Sequence, residues 1–389
     1  MARQPNPFHP GFNQPPTVLA GRDRLLGDVD EAFEIAGYDH RTPRPIVLIG
    51  PRGMGKTVTL GEAANAAGRK LSWPTVHVEA KPGGFLRDLV NRLGEVAQLL
   101  EGEAPTPTRR RRPRLSGGKI SAQAFGVGVG GEIQLEPSDT TAPPAEQLEA
   151  VLRHAAEVAI ERDAGLLLTL DELHAADPRE LGILAALLQE HVPDDWPLVV
   201  LAAALPALRN NRGRRKLPTY LERAEWHDLG PLGHADAIRA LTGPAEQAGR
   251  PLAADATSEL LDLCGGYPYA IQVAGHFAWR ASVGADEITG EHARAARPRI
   301  IEDLEQLFRG RWEDASDKER HYLQAVAAVA GAEAPTGGAV AAHLGATAKE
   351  LSYLRERLIK KGTIYATSDG VLHFITPGMG EWLRSRARD

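Results

Sequence analysis

The most constraining feature of this chain is residues 46–60, which read IVLIGPRGMGKTVTL. A short apolar run leads into a glycine-rich turn, and residues typical of a helix follow the turn. From Gly50 to Thr57 the turn has the G-x-x-x-x-G-K-[ST] spacing of a phosphate-binding loop. Glycines suit such a loop because backbone N–H groups can converge on phosphate oxygens without a Cβ in the way. The alternative is a glycine-rich turn that joins a strand to a helix by coincidence.

This loop predicts a nucleotide site that uses ATP and Mg²⁺. We expect Lys56 to reach the β- and γ-phosphates and Thr57 to offer its hydroxyl to Mg²⁺. The N-terminus of the following helix adds its dipole. The predicted nucleotide-binding residues of the loop are Gly50, Pro51, Arg52, Gly53, Met54, Gly55, Lys56 and Thr57.

A second apolar run, LLLTLDELHAAD, ends in the acidic pair Asp171 and Glu172. Beside a phosphate loop, Asp171 would hold Mg²⁺ through water and Glu172 would polarise the attacking water. A polar strand end is the other interpretation, but a phosphate loop more than 100 residues upstream favours the catalytic one. We therefore predict Thr57 and Asp171 as metal ligands and Glu172 as catalytic, and we expect a structural role for His174.

The order of the predicted elements indicates an α/β fold. Apolar runs typical of strands alternate with amphipathic helices over residues 18–231, which implies a parallel sheet covered by helices on both faces. Residues 232–314 contain helix-like segments and no convincing strand, so we predict a helical lid there. Residues 315–389 form a further predicted module, and the proline-rich residues 1–17 are expected to be extended or loosely packed.

Residues 101–145 interrupt this order. They are rich in glycine and proline and contain four consecutive arginines at 109–112. Part of the segment alternates like a hairpin, but its glycines would weaken any strand. A surface insertion with a solvated charge run is one interpretation, and contact with nucleic-acid phosphates is the other.

The acidic residue next to the predicted Mg²⁺-binding aspartate resembles the pattern of the additional-strand NTPases, the AAA+ class. The segment VLAGRDRLL, residues 18–26, is similar to the box that precedes the phosphate loop in origin-recognition-type and STAND-type ATPases. In those families this box packs beside the adenine. The resemblance implicates Val18 and Leu19, with Arg22 as a further candidate.

Two more segments resemble AAA+ motifs. LPTYLERAEWHDLGPL resembles the segment that carries an arginine finger just before the last strand, and Arg223 is the matching residue. A surface charge at a helix end is the alternative role for Arg223. CGGYPYAIQVAG resembles the G-x-P motif of STAND and archaeal-type ATPases, whose proline, here Pro268, lies against the nucleotide from the lid.

Two positions depart from the AAA+ pattern. The strand in PLVVLAAALPALR should end in a polar residue that contacts the γ-phosphate, but it runs through residues 202–205, three alanines and a leucine. Asn210 and Asn211 follow too late to replace that residue. Initiator-type relatives carry an arginine in the lid near the position of Tyr269. We therefore expect slow hydrolysis, or hydrolysis that needs Arg223 from a second copy of the chain.

Residues 315–389 resemble a winged helix-turn-helix. Three helical segments precede a β-ribbon that turns at Asp369-Gly370, and Ser316 and Glu319 have the spacing of a capping box. The third helix is locally basic and would enter the major groove of duplex DNA. Its predicted DNA-facing residues are Lys349, Ser352, Tyr353 and Arg357. Winged helices also dock proteins, and two acidic residues interrupt the basic face, so a partner protein is the alternative ligand.

The amino-acid composition excludes several classes of protein. A formal net charge of −6 excludes a globally basic nucleic-acid-binding protein, though not a local basic face. The single cysteine excludes a disulfide framework. No apolar run approaches the roughly 20 residues that span a bilayer. We therefore expect a cytoplasmic protein with no membrane partner.

The leading hypothesis is an ATP-controlled switch that binds DNA through its C-terminal module and forms a homo-oligomer when ATP bridges subunits through Arg223. The first alternative is a STAND-type sensor, held closed by ADP, whose C-terminal module binds a partner protein. The second is a transposition-type or secretion-type regulator, suggested by the segment LVVLAAALPALR.

Overall fold

Five parallel strands form the central sheet of the computed structural model, in the order β2-β3-β4-β1-β5. The structure describes residues 4–11, 14–102, 144–209, 217–367, 369–376 and 378–386. The strands are β1 (Ile46–Ile49), β2 (Thr75–Glu79), β3 (Leu166–Asp171), β4 (Leu198–Ala204) and β5 (Glu225–Asp228). The predicted parallel sheet is confirmed.

Helices cover both faces of this sheet because its central strands are apolar on both sides. Ile46 and Leu48 of β1 join the core on one face, while Val47 and Ile49 join the core on the other. The first face packs against α1 (Asp23–Gly37) and α2 (Lys56–Ala66). The second packs against α3 (Phe85–Gly102), α4 (Pro144–Glu161), α5 (Pro178–Glu190) and α6 (Thr219–Glu222). This two-sided burial explains why these strands read as continuous apolar runs.

The position of β4 sets the layout of the site. It pairs with β1 on one side and with β3 on the other, so the strand before the glycine-rich loop and the strand that ends in Asp171 are not neighbours. All three strands are parallel, so their carboxyl ends meet at one edge of the sheet. The two sequence motifs therefore lie at the same edge, on either side of the end of β4.

Four helices follow the last strand of the sheet, as the sequence predicted. They are α7 (His234–Gln247), α8 (Ala254–Cys264), α9 (Pro268–Ala281) and α10 (Gly290–Glu313). Their buried residues belong to the same core cluster as Ile46 and Leu48 of the sheet.

The N-terminal segment packs against α9. Its described residues form no helix or strand, in agreement with an extended segment, but Phe8 is only 1% exposed. The Phe8 ring lies so close to α9 that a Cβ atom at Gly275 would stand 2.3 Å from it. Asn6 Nδ2 donates to the carbonyl oxygen of His276 at 3.2 Å. The segment is therefore extended, one of the two predicted states, and one aromatic residue anchors it.

The C-terminal residues have the predicted order of elements. They are α11 (Asp317–Ala330), α12 (Gly337–His343), α13 (Ser352–Lys360), the antiparallel pair β6 (Ile364–Ala366) and β7 (Leu372–Phe374), and α14 (Met379–Arg386). The predicted capping box between Ser316 and Glu319 is present. The sequence predicts the third helix over residues 346–362, but α13 begins at Ser352. The Glu350 carboxylate accepts bonds from the backbone and hydroxyl of Thr347 and closes a turn there instead.

Two predictions fall wholly or partly outside the described residues. They concern residues 103–143 of the predicted insertion, which include the four arginines, and the pair Asn210 and Asn211. Among the helices that are described, none combines the length and apolar character required to cross a membrane.

Candidate functional site

The glycine-rich loop folds back on the lysine at its end. Gly55 has φ of +84°, the left-handed region, and it precedes the first residue of α2. Lys56 is buried, and its Nζ donates to the carbonyl oxygens of Gly50 and Pro51, both at 2.8 Å. Burial lowers the pKa of Lys56 to about 8, with Glu172 and Asp171 opposing the change. The loop therefore holds one ammonium group in its concave centre.

The second motif meets the loop directly. Thr57 Oγ1 donates to Asp171 Oδ2 at 2.5 Å, although the two residues are 114 positions apart. The backbone N–H of Glu172 donates to the other oxygen, Asp171 Oδ1, at 2.7 Å. The predicted metal ligands therefore converge, and they offer a hydroxyl and a carboxylate oxygen, which suit Mg²⁺.

Glu172 has the properties of a general base. Its φ of +49° is uncommon for a residue other than glycine and turns the chain sharply after β3. Burial raises the pKa of Glu172, while the charges of Lys56 and Arg52 oppose that rise. A carboxylate with a raised pKa accepts a proton from water more readily at neutral pH.

A structural role is the prediction for His174, and its ring joins two parts of the site. Its Nε2 lies 3.3 Å from Glu172 Oε2, and its Nδ1 accepts from the backbone N–H of Leu205 at 3.3 Å. Burial lowers the pKa of His174 to about 4, so the ring is neutral near pH 7. With Nδ1 accepting, the single ring proton is on Nε2 and faces Glu172. The ring thus connects Glu172 to the end of β4, where the sequence has Ala204 and Leu205 and no polar side chain.

The segment before α1 lies between the loop and the helical region. Arg22 is buried, and its Nη2 donates to the carbonyl oxygen of Met54 at 2.9 Å. Burial lowers the pKa of Arg22, and Asp236 of α7 opposes this. Val18 packs against α7, 3.1 Å from the position a Cβ would take at Gly243. Val18 and Leu19 are half-buried, and adenine contact stays a prediction for both.

Pro268 occupies the first turn of α9, and the residue before it reaches the loop. The Tyr267 hydroxyl donates to the carbonyl oxygen of Arg52 at 3.3 Å. A Cβ atom at Gly53 would lie 2.1 Å from that hydroxyl, so only glycine fits under the ring. Tyr269 turns away, and its hydroxyl donates to Asp303 Oδ1 at 3.2 Å. Sequence reasoning missed Tyr267, although it lies inside the G-x-P segment.

Arg223 lies at the opposite end of the sheet from the loop. It precedes β5, whose residues Glu225 and Asp228 pair with Ile46 and Ile49 of β1. The four residues of β5 therefore separate Arg223 from the loop edge, about 13 Å of extended chain. Its side chain is exposed and belongs to no salt bridge among the described residues. This geometry keeps Arg223 away from the loop of its own chain.

The predicted DNA-facing residues do not form one uniform surface. Lys349 and Tyr353 are exposed, whereas Ser352 is half-buried and its hydroxyl donates to the carbonyl oxygen of Lys349 at 2.8 Å. Arg357 Nε lies 3.3 Å from Oε1 of the buried Glu319, so this arginine has a partner inside the protein. DNA contact stays a prediction for all four.

Comparisons with known proteins agree with this arrangement. A family model described as an AAA ATPase domain matches residues 18–201, and one described as a domain of unknown function matches residues 305–383. A search of curated proteins found no match.

Two solved structures resemble the chain over nearly its whole length. One is a Walker-type ATPase of Pyrococcus abyssi, with 16% identity, a TM-score of 0.61, and coverage of 95% of this chain and 98% of that chain. The other is the Aeropyrum pernix ORC2 protein in ADPNP–ADP complexes, with 15% identity, a TM-score of 0.55, and coverage of 98% of each chain. Together with the strand order, these comparisons identify the architecture as the P-loop AAA+ ATPase fold.

Proposed function

We propose that this chain binds ATP with Mg²⁺, hydrolyses it slowly, and uses the bound nucleotide as a switch that controls its C-terminal module. The observation that carries this proposal is the meeting of Lys56, Thr57, Asp171 and Glu172 at one edge of the sheet. A buried ammonium, a hydroxyl and two carboxylates at a helix N-terminus suit a metal-bound polyphosphate.

Each of these side chains has a distinct task. Lys56 exchanges its bonds to loop carbonyls for bonds to phosphate oxygens, and Thr57 and Asp171 hold the metal ion. Glu172 takes a proton from the attacking water, and His174 keeps that carboxylate in place. Bound Mg²⁺ neutralises phosphate charge that the side chains alone leave uncompensated.

The proposed oligomer follows from the position of Arg223. Its distance from the loop of its own chain supports the proposal that it acts on the loop of a second copy. An arginine supplied by a second subunit raises the rate of nucleotide hydrolysis by about 10³–10⁵-fold. The apolar end of β4, at Ala204 and Leu205, is a further reason to expect slow turnover in an isolated subunit.

We also propose that residues 315–389 form a winged helix-turn-helix that binds duplex DNA. The exposed Lys349 and Tyr353 support this, together with the order of helices and ribbon. The pairing of Arg357 with Glu319 favours the second candidate, a module that binds a partner protein, because it reduces the basic character of the surface.

The deciding experiment is steady-state ATP turnover across a protein-concentration series, with and without duplex DNA. Glu172→Gln supplies the blank, since it is expected to bind ATP and hydrolyse little. Rates per subunit that rise with concentration support the assembly, and a further rise with DNA supports the DNA-binding module. Turnover equal to the blank at every concentration, with ADP still bound, contradicts the hydrolytic role and leaves a nucleotide-held switch. Failure to bind ATP or ADP contradicts the whole proposal.

A further inference from the structure

Arg311, near the C-terminal end of α10, lies beside the glycine-rich loop without a carboxylate partner. Among the residues that the structure describes, it forms no salt bridge with an acidic side chain. Burial lowers the pKa of Arg311, the Tyr267 hydroxyl raises it, and the charge of Arg52 lowers it further. Arg52 and Arg311 also lie on the same turn, because Arg311 donates to the carbonyl oxygen of Gly362 and a Cβ atom at Gly362 would lie 3.9 Å from Arg52 Nε. Such an arrangement costs free energy unless an anion joins them.

The same arginine also holds the C-terminal module. Arg311 Nη1 donates to the carbonyl oxygen of Gly362 at 3.0 Å, in the turn between α13 and β6. Gly362 is buried against the site: a Cβ atom there would lie 3.4 Å from Leu205 Cδ1 and 3.9 Å from Arg52 Nε. The turn at Gly362 therefore lies against both the end of β4, at Leu205, and the glycine-rich loop, at Arg52.

Tyr267 completes this contact from the other side. Its ring rests on Gly53, and its hydroxyl donates to the backbone carbonyl oxygen of Arg52, as described above. The loop, the start of α9, the end of α10 and the C-terminal turn therefore meet around Arg52 and Arg311. A guanidinium has five N–H donors, and the bond to Gly362 uses one of them. Among the residues that the structure describes, no further hydrogen bond of Arg311 is found, so its other donors are available to an oxyanion.

We propose that Arg311 binds a phosphate group of the nucleotide and thereby couples nucleotide occupancy to the docking of the C-terminal module through Gly362. This inference rests on the proposed function of the loop and adds a phosphate ligand that sequence reasoning did not identify. A bound phosphate neutralises the two arginines and orders the Arg311 side chain, which strengthens its bond to the turn. The C-terminal module is then held more firmly with nucleotide than without it.

The test compares Arg311→Gln with the wild type in the full chain, using fluorescent ADP and a fluorescent non-hydrolysable ATP analogue. We expect Arg311→Gln to weaken binding of at least one of them by about tenfold, because a charge-assisted hydrogen bond is lost. Arg309→Gln is the matched control, since Arg309 lies on the same helix, is exposed and pairs with Glu305. If Arg311→Gln binds ADP more weakly than the wild type does, Arg311 contacts a phosphate that both nucleotides carry. If only the affinity for the ATP analogue falls, Arg311 contacts the γ-phosphate.

Hydrogen exchange of residues 361–367 gives the second readout. We expect nucleotide to slow exchange there in the wild type and in Arg309→Gln, and to have no such effect in Arg311→Gln. If Arg311→Gln fails to fold, Arg311→Lys replaces it, because lysine keeps the charge but lacks the planar fork needed to bridge phosphate and carbonyl.

Two results would overturn the inference: wild-type nucleotide affinity in a folded Arg311 variant, or exchange at 361–367 that nucleotide does not change in the wild type. Lys56→Ala separates this failure from that of the proposed function. If the wild type binds nucleotide, Lys56→Ala does not, and the Arg311 variants bind normally, then only the coupling is wrong.

Discussion

At the scale of single residues, Lys56 is the side chain on which nucleotide binding depends most. Its buried ammonium is the charge nearest the centre of the loop, so Lys56→Ala is expected to abolish measurable ATP binding in equilibrium titrations. Lys70→Ala is a suitable control, because Lys70 is exposed and pairs with Asp30. ATP affinity equal to that of the wild type would show that the loop does not bind phosphate.

His174 is expected to affect turnover and leave binding intact. Its ring bridges Glu172 and Leu205, and both partners lie outside the glycine-rich loop. His174→Ala should lower the turnover rate by roughly tenfold to a hundredfold, because the carboxylate loses its fixed orientation. The ATP dissociation constant should stay within about twofold. His154→Ala, at an exposed position, is the control, and an unchanged rate in His174→Ala would remove the histidine from the mechanism.

The sequence could identify some of these residues and not others for a physical reason. Lys56 and Thr57 belong to a motif of eight consecutive residues, so local spacing alone marks them. The contact of Tyr267 with Arg52 spans 215 positions, and the bond between Arg311 and Gly362 spans 51. Only the folded chain brings such pairs together: Arg52 stands in the loop motif, but no local pattern shows its contact with Tyr267, and Arg311 belongs to no motif.

At the scale of elements, the N-terminal segment stabilises α9 through one side chain. Phe8→Ala should lower the free energy of unfolding by about 3–5 kcal/mol, the usual cost of removing a fully buried phenylalanine. Urea denaturation at constant slope measures this change. Phe8→Leu should cost less, because it fills more of the same space. An unchanged midpoint in Phe8→Ala would mean that the segment does not pack on α9 in solution.

Glu319 joins the start of α11 to the end of α13 and should make the C-terminal module sensitive to acid. Burial opposes its ionisation, but hydrogen bonds from Lys361 and Ser316 together lower the pKa of Glu319 below its usual 4.5. A group whose pKa is lower in the folded state stabilises that state above pH 4.5 and loses this effect as the pH falls through its folded pKa.

The corresponding variant is Glu319→Gln. At pH 7 it should lower the melting temperature of the chain, since Lys361 and Arg357 lose their carboxylate partner, at a cost of about 1 kcal/mol because water reaches both cations. The difference from the wild type should narrow as the pH falls below 4.5. Glu356→Gln, at an exposed position of α13, should show no difference at either pH. If the difference in melting temperature between Glu319→Gln and the wild type stays constant with pH, ionised Glu319 is not its cause.

The spacing of apolar residues predicted the helices and strands whose buried side chains recur in a regular pattern. The strands of the sheet read as apolar runs because both faces are covered, and α1 shows its buried stripe in Leu25, Val29 and Phe33. The start of α13 was wrong by several residues, because a side-chain bond from Thr347 to Glu350 competes there with the helix. No local pattern could show that Phe8 covers α9.

At the scale of the whole molecule, the position of Arg223 predicts complementation between two inactive variants. Arg223→Ala keeps an intact loop but lacks the arginine, while Lys56→Ala keeps the arginine but lacks the loop lysine. Each alone should turn over ATP at the level of Glu172→Gln, and an equimolar mixture should regain a substantial part of the wild-type rate. Absence of recovery, in a wild type whose rate rises with concentration, would exclude Arg223 as the group supplied between subunits.

The burial of Phe8 has a consequence for where the chain can be shortened. The AAA ATPase family model begins at residue 18, which would be a natural place to start a shorter recombinant protein. Such a protein would lack the segment that covers Gly275 and would expose an apolar strip of α9 to solvent. Exposed apolar strips promote self-association. A preparation starting there would then form aggregates or dimers of its own making, easily mistaken for the nucleotide-dependent assembly of the full chain.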